Sequence, residues 1–186
     1  MYPVFLKLDG RPVLVVGAGP VAAAKIEGLL AEGALVTVVA PQIRPEVARA
    51  SVAVIRRAFE PGDVDGMWWV VAAAPPEVNR QVCDAAARRR VFVNAVDDTA
   101  HATAYLGGVV RRDGVTVAIS TDGRAPALSG LLREAIDAWL PGDLDRWMTA
   151  ADEARRSWKR DGIPMARRRP QLLETLNRLY DRETNG

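Results

Sequence analysis

The stretch PVLVVGAGPVAAAKIEGLLAEGALVTVVAPQ, residues 12–42, decides the fold. Pro12–Val16 is apolar without polar alternation, as a strand covered on both faces requires. It runs into Gly17-Ala18-Gly19-Pro20-Val21-Ala22, which fits G-x-G-x-x-A. Beyond the glycines, Val21, Ile26, Leu29 and Leu30 fall on one helical face, so Pro20–Gly33 reads as a helix. Ala34–Val39 is a second apolar run, closed by Pro41. Strand, glycine turn, helix and strand together open a dinucleotide-binding βαβ unit. Gly17 makes the tight turn, Gly19 lets the backbone approach a pyrophosphate, and Ala22 allows close helix–strand packing. The free N–H groups and the dipole of the helix start then favour the anion.

The same alternation continues outward. A short helix at about 44–50, a strand at Val52–Arg56, the apolar run Met67–Ala73, a helix over Pro76–Arg89 and a strand at Val91–Asn94 follow in order. Short connections between such elements predict an α/β fold with a Rossmann-like, doubly wound parallel sheet. The pattern changes after Asp97. Tyr105–Arg112 and Val115–Ser120 flank Asp113-Gly114, a hairpin turn signal. Ala125–Leu140 reads as a helix with Leu128, Leu131, Leu132, Ala135 and Trp139 on its apolar side. Pro141-Gly142 breaks the chain, and two helices, about Asp143–Arg160 and Pro164–Tyr180, complete it.

The expected organisation is a Rossmann-like dinucleotide domain over 1–105, a dimerisation and substrate segment over 106–141, and a helical region over 142–186. The middle segment is too small to enclose its own core, yet Tyr105, Leu106, Val109 and Val110 need cover. A homodimer pairing two such segments supplies it.

Composition narrows the chemistry. One cysteine, Cys83, excludes an intramolecular disulfide framework and cysteine-cluster metal sites. One histidine, His101, excludes a multi-histidine metal centre, so no metal ligands are assigned. The longest apolar stretches, Pro12–Ala24 and Met67–Pro76, are too short and too interrupted to span a membrane. The start, Met1-Tyr2-Pro3-Val4-Phe5-Leu6-Lys7, lacks a basic region before an apolar core and does not read as a signal peptide. A cytoplasmic protein is expected. Net charge is 25 − 23 = +2, with +3 carried by residues 150–186. Those arginines alternate with acidic and apolar residues at helical spacing, which argues against a nucleic-acid partner. Cys83, Trp68 and Trp69 are expected in the core, and Trp139, Trp147 and Trp158 in helix packing.

One part of the dinucleotide fingerprint is missing. The second strand usually ends in Asp or Glu for the ribose hydroxyls, whereas this chain has Val38-Val39-Ala40-Pro41-Gln42. Gln42 can hydrogen-bond a ribose and Arg44 can meet a 2′-phosphate, so the residues alone leave NAD and NADP both open.

Residues 5–41, FLKLDGRPVLVVGAGPVAAAKIEGLLAEGALVTVVAP, resemble the opening of precorrin-2 dehydrogenases, the module also found at the N-terminus of siroheme synthases. The resemblance continues through Pro76-Glu77-Val78-Asn79, Val93-Asn94-Ala95-Val96-Asp97 and VAISTDGRAPALSGLLRE (117–134), and covers nearly the whole chain. It implies NAD as cofactor, oxidation of precorrin-2 to sirohydrochlorin and, in some members, insertion of ferrous iron to give siroheme. It also implies a homodimer whose active site lies between the dinucleotide domain and the dimer segment. By the same resemblance, Asp97 is the catalytic residue. The nucleotide contacts fall on Gly17, Ala18, Gly19, Pro20 and Val21, then on Pro41-Gln42 and the loop at Ala73-Ala74. The chain departs from the family at Ala72-Ala73-Ala74, where relatives commonly carry Ala-Thr-Asp. It departs again at Thr103-Ala104-Tyr105-Leu106-Gly107, where they favour Ser-Phe-x-x-Pro.

Dehydrogenation of a porphyrinoid removes a hydride and a proton, so the protein must supply orientation and a base. Asp97 follows a predicted strand on the carboxyl edge of the sheet; capping the turn there is the alternative role, for it or for Asp98. His101 lies four residues on and is a second candidate for proton transfer. Because iron insertion also releases two pyrrole protons, one carboxylate suits both steps and does not separate a dehydrogenase from a dehydrogenase–chelatase. A polycarboxylate substrate calls for cations and hydroxyls, for which Arg111, Arg112, Arg124, Ser120 and Thr121 are the candidates. Surface solvation of the arginines and capping of the following helix by the hydroxyls are the alternatives. Two other functions compete: a Rossmann dehydrogenase acting on another polyanionic metabolite, and a non-catalytic NAD-binding regulatory module.

Overall fold

The apolar runs become strands because their neighbours cover both faces. In the computed structural model, which describes residues 1–181, β1 (Pro12–Val16), β2 (Leu35–Val39), β3 (Ala53–Ile55), β4 (Trp69–Ala72) and β5 (Phe92–Ala95) form one parallel sheet in the order β3-β2-β1-β4-β5. The register sets Val16 beside Val39 on one side and beside Ala72 on the other. Crossover helices α1 (Pro20–Ala31), α2 (Pro45–Arg49) and α3 (Pro76–Arg89) connect the strands. The order reverses between β1 and β4, and the crevice at such a switch point is where open α/β sheets bind their ligands.

Two cores follow from the two faces. Leu14, Val16, Val39, Val70, Val82, Cys83 and Val93 pack on one side, and Val13, Val15, Ile26, Val36, Val38, Val47 and Val71 on the other. Each fully buried aliphatic side chain contributes about 1.5–3 kcal/mol of transfer free energy, which outweighs the modest helix propensity of the glycine-containing α1. Pro20 and Pro76 each occupy the first turn of their helix, where no intrahelical N–H bond is lost. The outer edge of β5 is closed by an irregular segment, since the Thr103 and Ala104 N–H groups both donate to the Val93 carbonyl.

The chain divides into two compact units, one covering Met1–Leu106 and the other beginning at Gly107. In the second, β6 (Gly108–Arg112) and β7 (Val115–Ile119) form an antiparallel hairpin. Asp113 and Gly114 both take positive φ at its turn, as the sequence signal requires. Helix α4 (Pro126–Trp139) packs on β6 and β7, and α5 (Leu144–Arg160) packs against α6 (Met165–Asp181). The Trp147 indole N–H donates to the Tyr180 hydroxyl and that of Trp158 to Gln171, so both act in helix packing as expected.

Some expectations fail. The first hairpin strand begins at Gly108, not Tyr105, because its partner β7 ends at Ile119, the residue opposite Gly108. Trp68 is 54% exposed, lying just before β4 with the Arg11 guanidinium 4.1 Å above its ring. Only Trp69 of that pair is core. Trp139, 79% exposed, and Leu128, Leu131 and Leu132 of the apolar side of α4 have no cover from the single chain among the described residues, which leaves that face open as a dimer segment would require. A 3₁₀ turn at Pro61–Val64 went unforeseen; Glu60 and Asp63 form its reciprocal capping box.

Candidate functional site

Three loops meet at the carboxyl edge of the sheet where the strand order reverses. The Gly17 N–H donates to the Val39 carbonyl at 2.9 Å, and the Ala73 N–H donates to the Val16 carbonyl at 2.8 Å. Gly17 has φ +107°, and a Cβ there would lie 2.1 Å from the Ala73 oxygen. That position therefore requires glycine for two separate reasons, its backbone angle and the close approach of Ala73. Gly19 differs. It is the N-cap of α1 with ordinary φ −79°, and a Cβ there would meet nothing within 4 Å. The space beside Gly19 is open on the protein side, as the approach of a pyrophosphate demands.

No side chain caps α1, and its first turn carries no acid. Its leading N–H groups are thus available to an anion, with the helix dipole behind them. Ala18 and Ala22 are buried, whereas Pro20 and Val21 are exposed beside the turn. Pro41 and Gln42 are exposed just beyond β2. Arg44, the candidate cation for a 2′-phosphate, is paired with Glu46 at 2.8 Å. The residues present fit a dinucleotide: a glycine cradle, an uncapped helix start and a polar side chain past the second strand.

On the neighbouring strand, β5 ends in a tight turn. Asp97 takes φ +58°, a left-handed conformation that Asp tolerates better than most residues. Its exposed carboxylate has no hydrogen-bond partner among the described residues. Asp98 does the local structural work. Its carboxylate accepts the His101 backbone N–H at 3.2 Å and lies 2.8 Å from Nδ1 of the same histidine. That hydrogen bond, aided by the charges of His101 and Arg80, holds the Asp98 carboxyl below the usual carboxylate range. Of the two adjacent acids, Asp98 fastens the turn and Asp97 is left free for chemistry. His101 is exposed, with Nε2 facing away from the bond that Asp98 makes to Nδ1.

Two buried asparagines were present in the sequence motifs but had no role assigned. Asn79, 3% exposed, accepts the Ala74 N–H at 2.9 Å and donates to the Val96 carbonyl at 3.4 Å. Asn94, 7% exposed, donates to the Ala104 carbonyl at 3.1 Å. The signal for Asn79 was its spacing, since it shares a face with Val82, Cys83 and Ala86, all buried. A polar residue on a buried stripe needs a partner.

The second unit holds the other candidates. Arg112 donates to the Leu140 carbonyl and to Asp137, both at 2.7 Å, so its guanidinium ties β6 to the end of α4. Arg111 and Arg124 are exposed. The hydroxyls do not cap α4, contrary to the alternative expected for them: its N-cap is Ala125 and no side chain bonds its first turn. Thr121 donates to the Ala125 carbonyl at 3.1 Å, and Ser120 accepts the Asp122 N–H at 3.2 Å. Asp122 and Gly123, both at positive φ, fold the connection so tightly that these hydroxyls stabilise the turn itself.

Similarities to known proteins agree with this geometry. A family model for NAD(P)-binding domains matches residues 4–108. Siroheme synthase 1 of Aeromonas hydrophila subsp. hydrophila is 41% identical over 172 residues, covering 90% of this chain and 37% of that protein. The siroheme synthase of Photorhabdus laumondii subsp. laumondii is 38% identical over 180 residues, covering 94% of this chain and 38% of its own. The chain thus spans little more than a third of the length of these curated relatives. A solved structure of SirC, a precorrin-2 dehydrogenase, superposes with a TM-score of 0.73 at 29% identity, covering 94% of this chain and 88% of that one. With the match spanning more than half of its length, the chain belongs to the NAD(P)-binding family, and the relatives its motifs resemble within that fold are precorrin-2 dehydrogenases and siroheme synthases.

Proposed function

We propose that this protein oxidises precorrin-2 to sirohydrochlorin with NAD, in siroheme or cobalamin biosynthesis. The observation that carries the reading is the free carboxylate of Asp97 at the carboxyl end of β5, on the same sheet edge as the open glycine turn of β1. When bound, the dinucleotide supplies the hydride acceptor. The start of α1 and Gly19 hold its pyrophosphate, and Gln42 meets a ribose. NAD is the dinucleotide of this reading, and Arg44, in an exposed ion pair with Glu46, is compatible with it. Asp97 receives the proton that leaves the tetrapyrrole as the hydride departs, and His101 stands as a second proton carrier held by Asp98. Arg111, Arg124 and the turn at Ser120-Thr121 are the groups for the substrate carboxylates. Arg112 contributes by fixing the strand that carries Arg111.

A homodimer belongs to the same reading. Leu128, Leu131, Leu132 and Trp139 expose one apolar face of α4, and in a unit with few buried residues that face needs cover. No helix among the described residues is long and apolar enough to cross a membrane.

The test is anaerobic incubation with enzymatically made precorrin-2, with NAD, with NADP and with neither, followed by ferrous iron. Sirohydrochlorin that forms only with a dinucleotide supports the dehydrogenase. A further iron-dependent spectral change above the uncatalysed rate adds the chelatase step. NAD binding without turnover overturns the reading in favour of another anionic substrate or a regulatory role.

A further inference from the structure

We infer that Asn79 is a positioning residue that sets the dinucleotide-side loop and the Asp97 turn relative to one another. The inference rests on the function proposed above and adds a residue to its machinery. The two groups Asn79 bonds both lie in loops at the carboxyl edge of the sheet: the Ala74 N–H at 2.9 Å and the Val96 carbonyl at 3.4 Å.

Each bond controls something specific. Ala74 follows Ala73, whose carbonyl packs against Gly17, so holding the Ala74 N–H fixes the wall of the glycine turn. The Val96 carbonyl belongs to the planar peptide that includes the Asp97 N–H. Holding it sets the plane from which the Asp97 side chain departs, at a residue in the left-handed region, φ +58°, whose carboxylate makes no hydrogen bond among the described residues. Val96 is also tied through its N–H to the Ala72 carbonyl at 2.9 Å, so the carboxamide of Asn79 completes a closed ring of contacts among β4, its loop and the β5 turn. Helix propensity and apolar packing do not call for an asparagine here; only its two loop partners do. Alanine is the better helix former, and the surrounding face of Val82, Cys83 and Ala86 is apolar.

The two halves of the carboxamide can be separated. Asn79→Asp keeps an oxygen for the Ala74 N–H but, when ionised, turns a second oxygen toward the Val96 carbonyl. Asn79→Ala loses both contacts. Because an unsatisfied buried partner typically costs enough to shift an equilibrium about tenfold, the expected outcomes differ. In Asn79→Asp, the Ala74 amide stays protected from hydrogen exchange and NAD binds within about threefold of wild type, while kcat falls at least about tenfold with KM for precorrin-2 unchanged. In Asn79→Ala, Ala74 loses protection, the Kd for NAD rises about tenfold, and kcat falls as well. Exchange at the β1 amides, which Asn79 does not touch, reports that each variant is folded.

Wild-type kcat in Asn79→Asp throughout a pH profile that extends to the ionised carboxylate, or equal loss of NAD affinity in both variants, would reduce Asn79 to a packing residue, whereas a kcat that falls as pH rises marks the loss of the donor to Val96. Should Asn79→Asp fail to fold, Asn79→Ala alone decides, because unchanged Kd and kcat there overturn the inference. If the wild-type protein does not oxidise precorrin-2 while NAD affinity and Ala74 exchange respond as stated, the positioning of the loops stands and the substrate assignment fails.

Discussion

Replacing either glycine of the turn by alanine gives opposite outcomes if the geometry of the turn is read correctly. At Gly17 the new Cβ would lie 2.1 Å from the Ala73 oxygen and 2.7 Å from its carbonyl carbon. That carbonyl cannot swing away cheaply, because the N–H of its own peptide plane, that of Ala74, is bonded to the Asn79 side chain at 2.9 Å. Left-handed strain for a non-glycine residue adds about 1–2 kcal/mol, and forcing atoms into a packed site about 1–3 kcal/mol. A loss of about 2–5 kcal/mol is therefore expected for Gly17→Ala, which lowers Tm by at least about 10 °C for a unit of this size. At Gly19 the Cβ meets nothing within 4 Å and φ is −79°. Gly19→Ala should then cost about 1 kcal/mol or less, the loss of a favourable N-cap residue. Its effect falls on NAD instead, because the methyl occupies the space where the pyrophosphate must approach. A steric penalty of about 1–3 kcal/mol there weakens binding roughly five- to 150-fold. Thermal unfolding and calorimetric titration with NAD, applied to both variants, separate the two effects. A Gly19→Ala protein that binds NAD as tightly as wild type would refute the placement of the pyrophosphate. A Gly17→Ala protein of wild-type stability would refute the close approach of Ala73.

Asp97→Asn should keep the left-handed turn and NAD affinity while lowering turnover by about 10²–10⁴-fold, as steady-state kinetics would show. If the proposed homodimer pairs through α4, wild type should sediment as a dimer at micromolar concentration and Leu131→Asp as a monomer in analytical ultracentrifugation, since one charge on the apolar face of α4 would enter the interface twice by symmetry. Acid stability should depend on Asp63, whose carboxyl is held below its ordinary value chiefly by its hydrogen bond from Arg57. The folded form is the weaker proton binder there, so this contribution is complete above the unfolded value of about 3.9 and is lost as pH falls through the lowered folded value. In Arg57→Ala the pH dependence of denaturant unfolding should flatten in that window. Burial pushes the Cys83 thiol up to about 11, so alkylating reagents at pH 8 should leave the native protein unlabelled and label the denatured protein once.

What was legible in the sequence was whatever local spacing encodes. The apolar runs, the glycine turn and Asp113-Gly114 each fix backbone geometry within a few residues, and the sheet and the hairpin follow from them. Asp97 was legible as a candidate through family resemblance. Its separation from Asp98 was not, because which of two adjacent carboxylates turns inward depends on the left-handed φ at one of them. Asn79 lay in plain view on a buried helical stripe, but its two partners are backbone groups in loops that become neighbours only when β4 and β5 pair. The tie that Arg112 makes was illegible for the same reason: its partners, Asp137 and Leu140, lie at the end of α4, more than twenty residues along the chain. Trp68 was misplaced because an aromatic residue just before a strand is not bound to the burial of the strand beside it.

The central claim is that this sheet edge brings a hydride acceptor and the Asp97 carboxylate to the same tetrapyrrole. Its most direct test is an anaerobic single-turnover reaction of the protein with NAD and precorrin-2, in which NADH and sirohydrochlorin are quantified together for wild type and Asp97→Asn. Wild type is expected to form the two products in equal amounts and on one time course, and Asp97→Asn, with NAD bound as tightly, to form both far more slowly. Sirohydrochlorin without NADH, or an Asp97→Asn protein as fast as wild type, would contradict that claim.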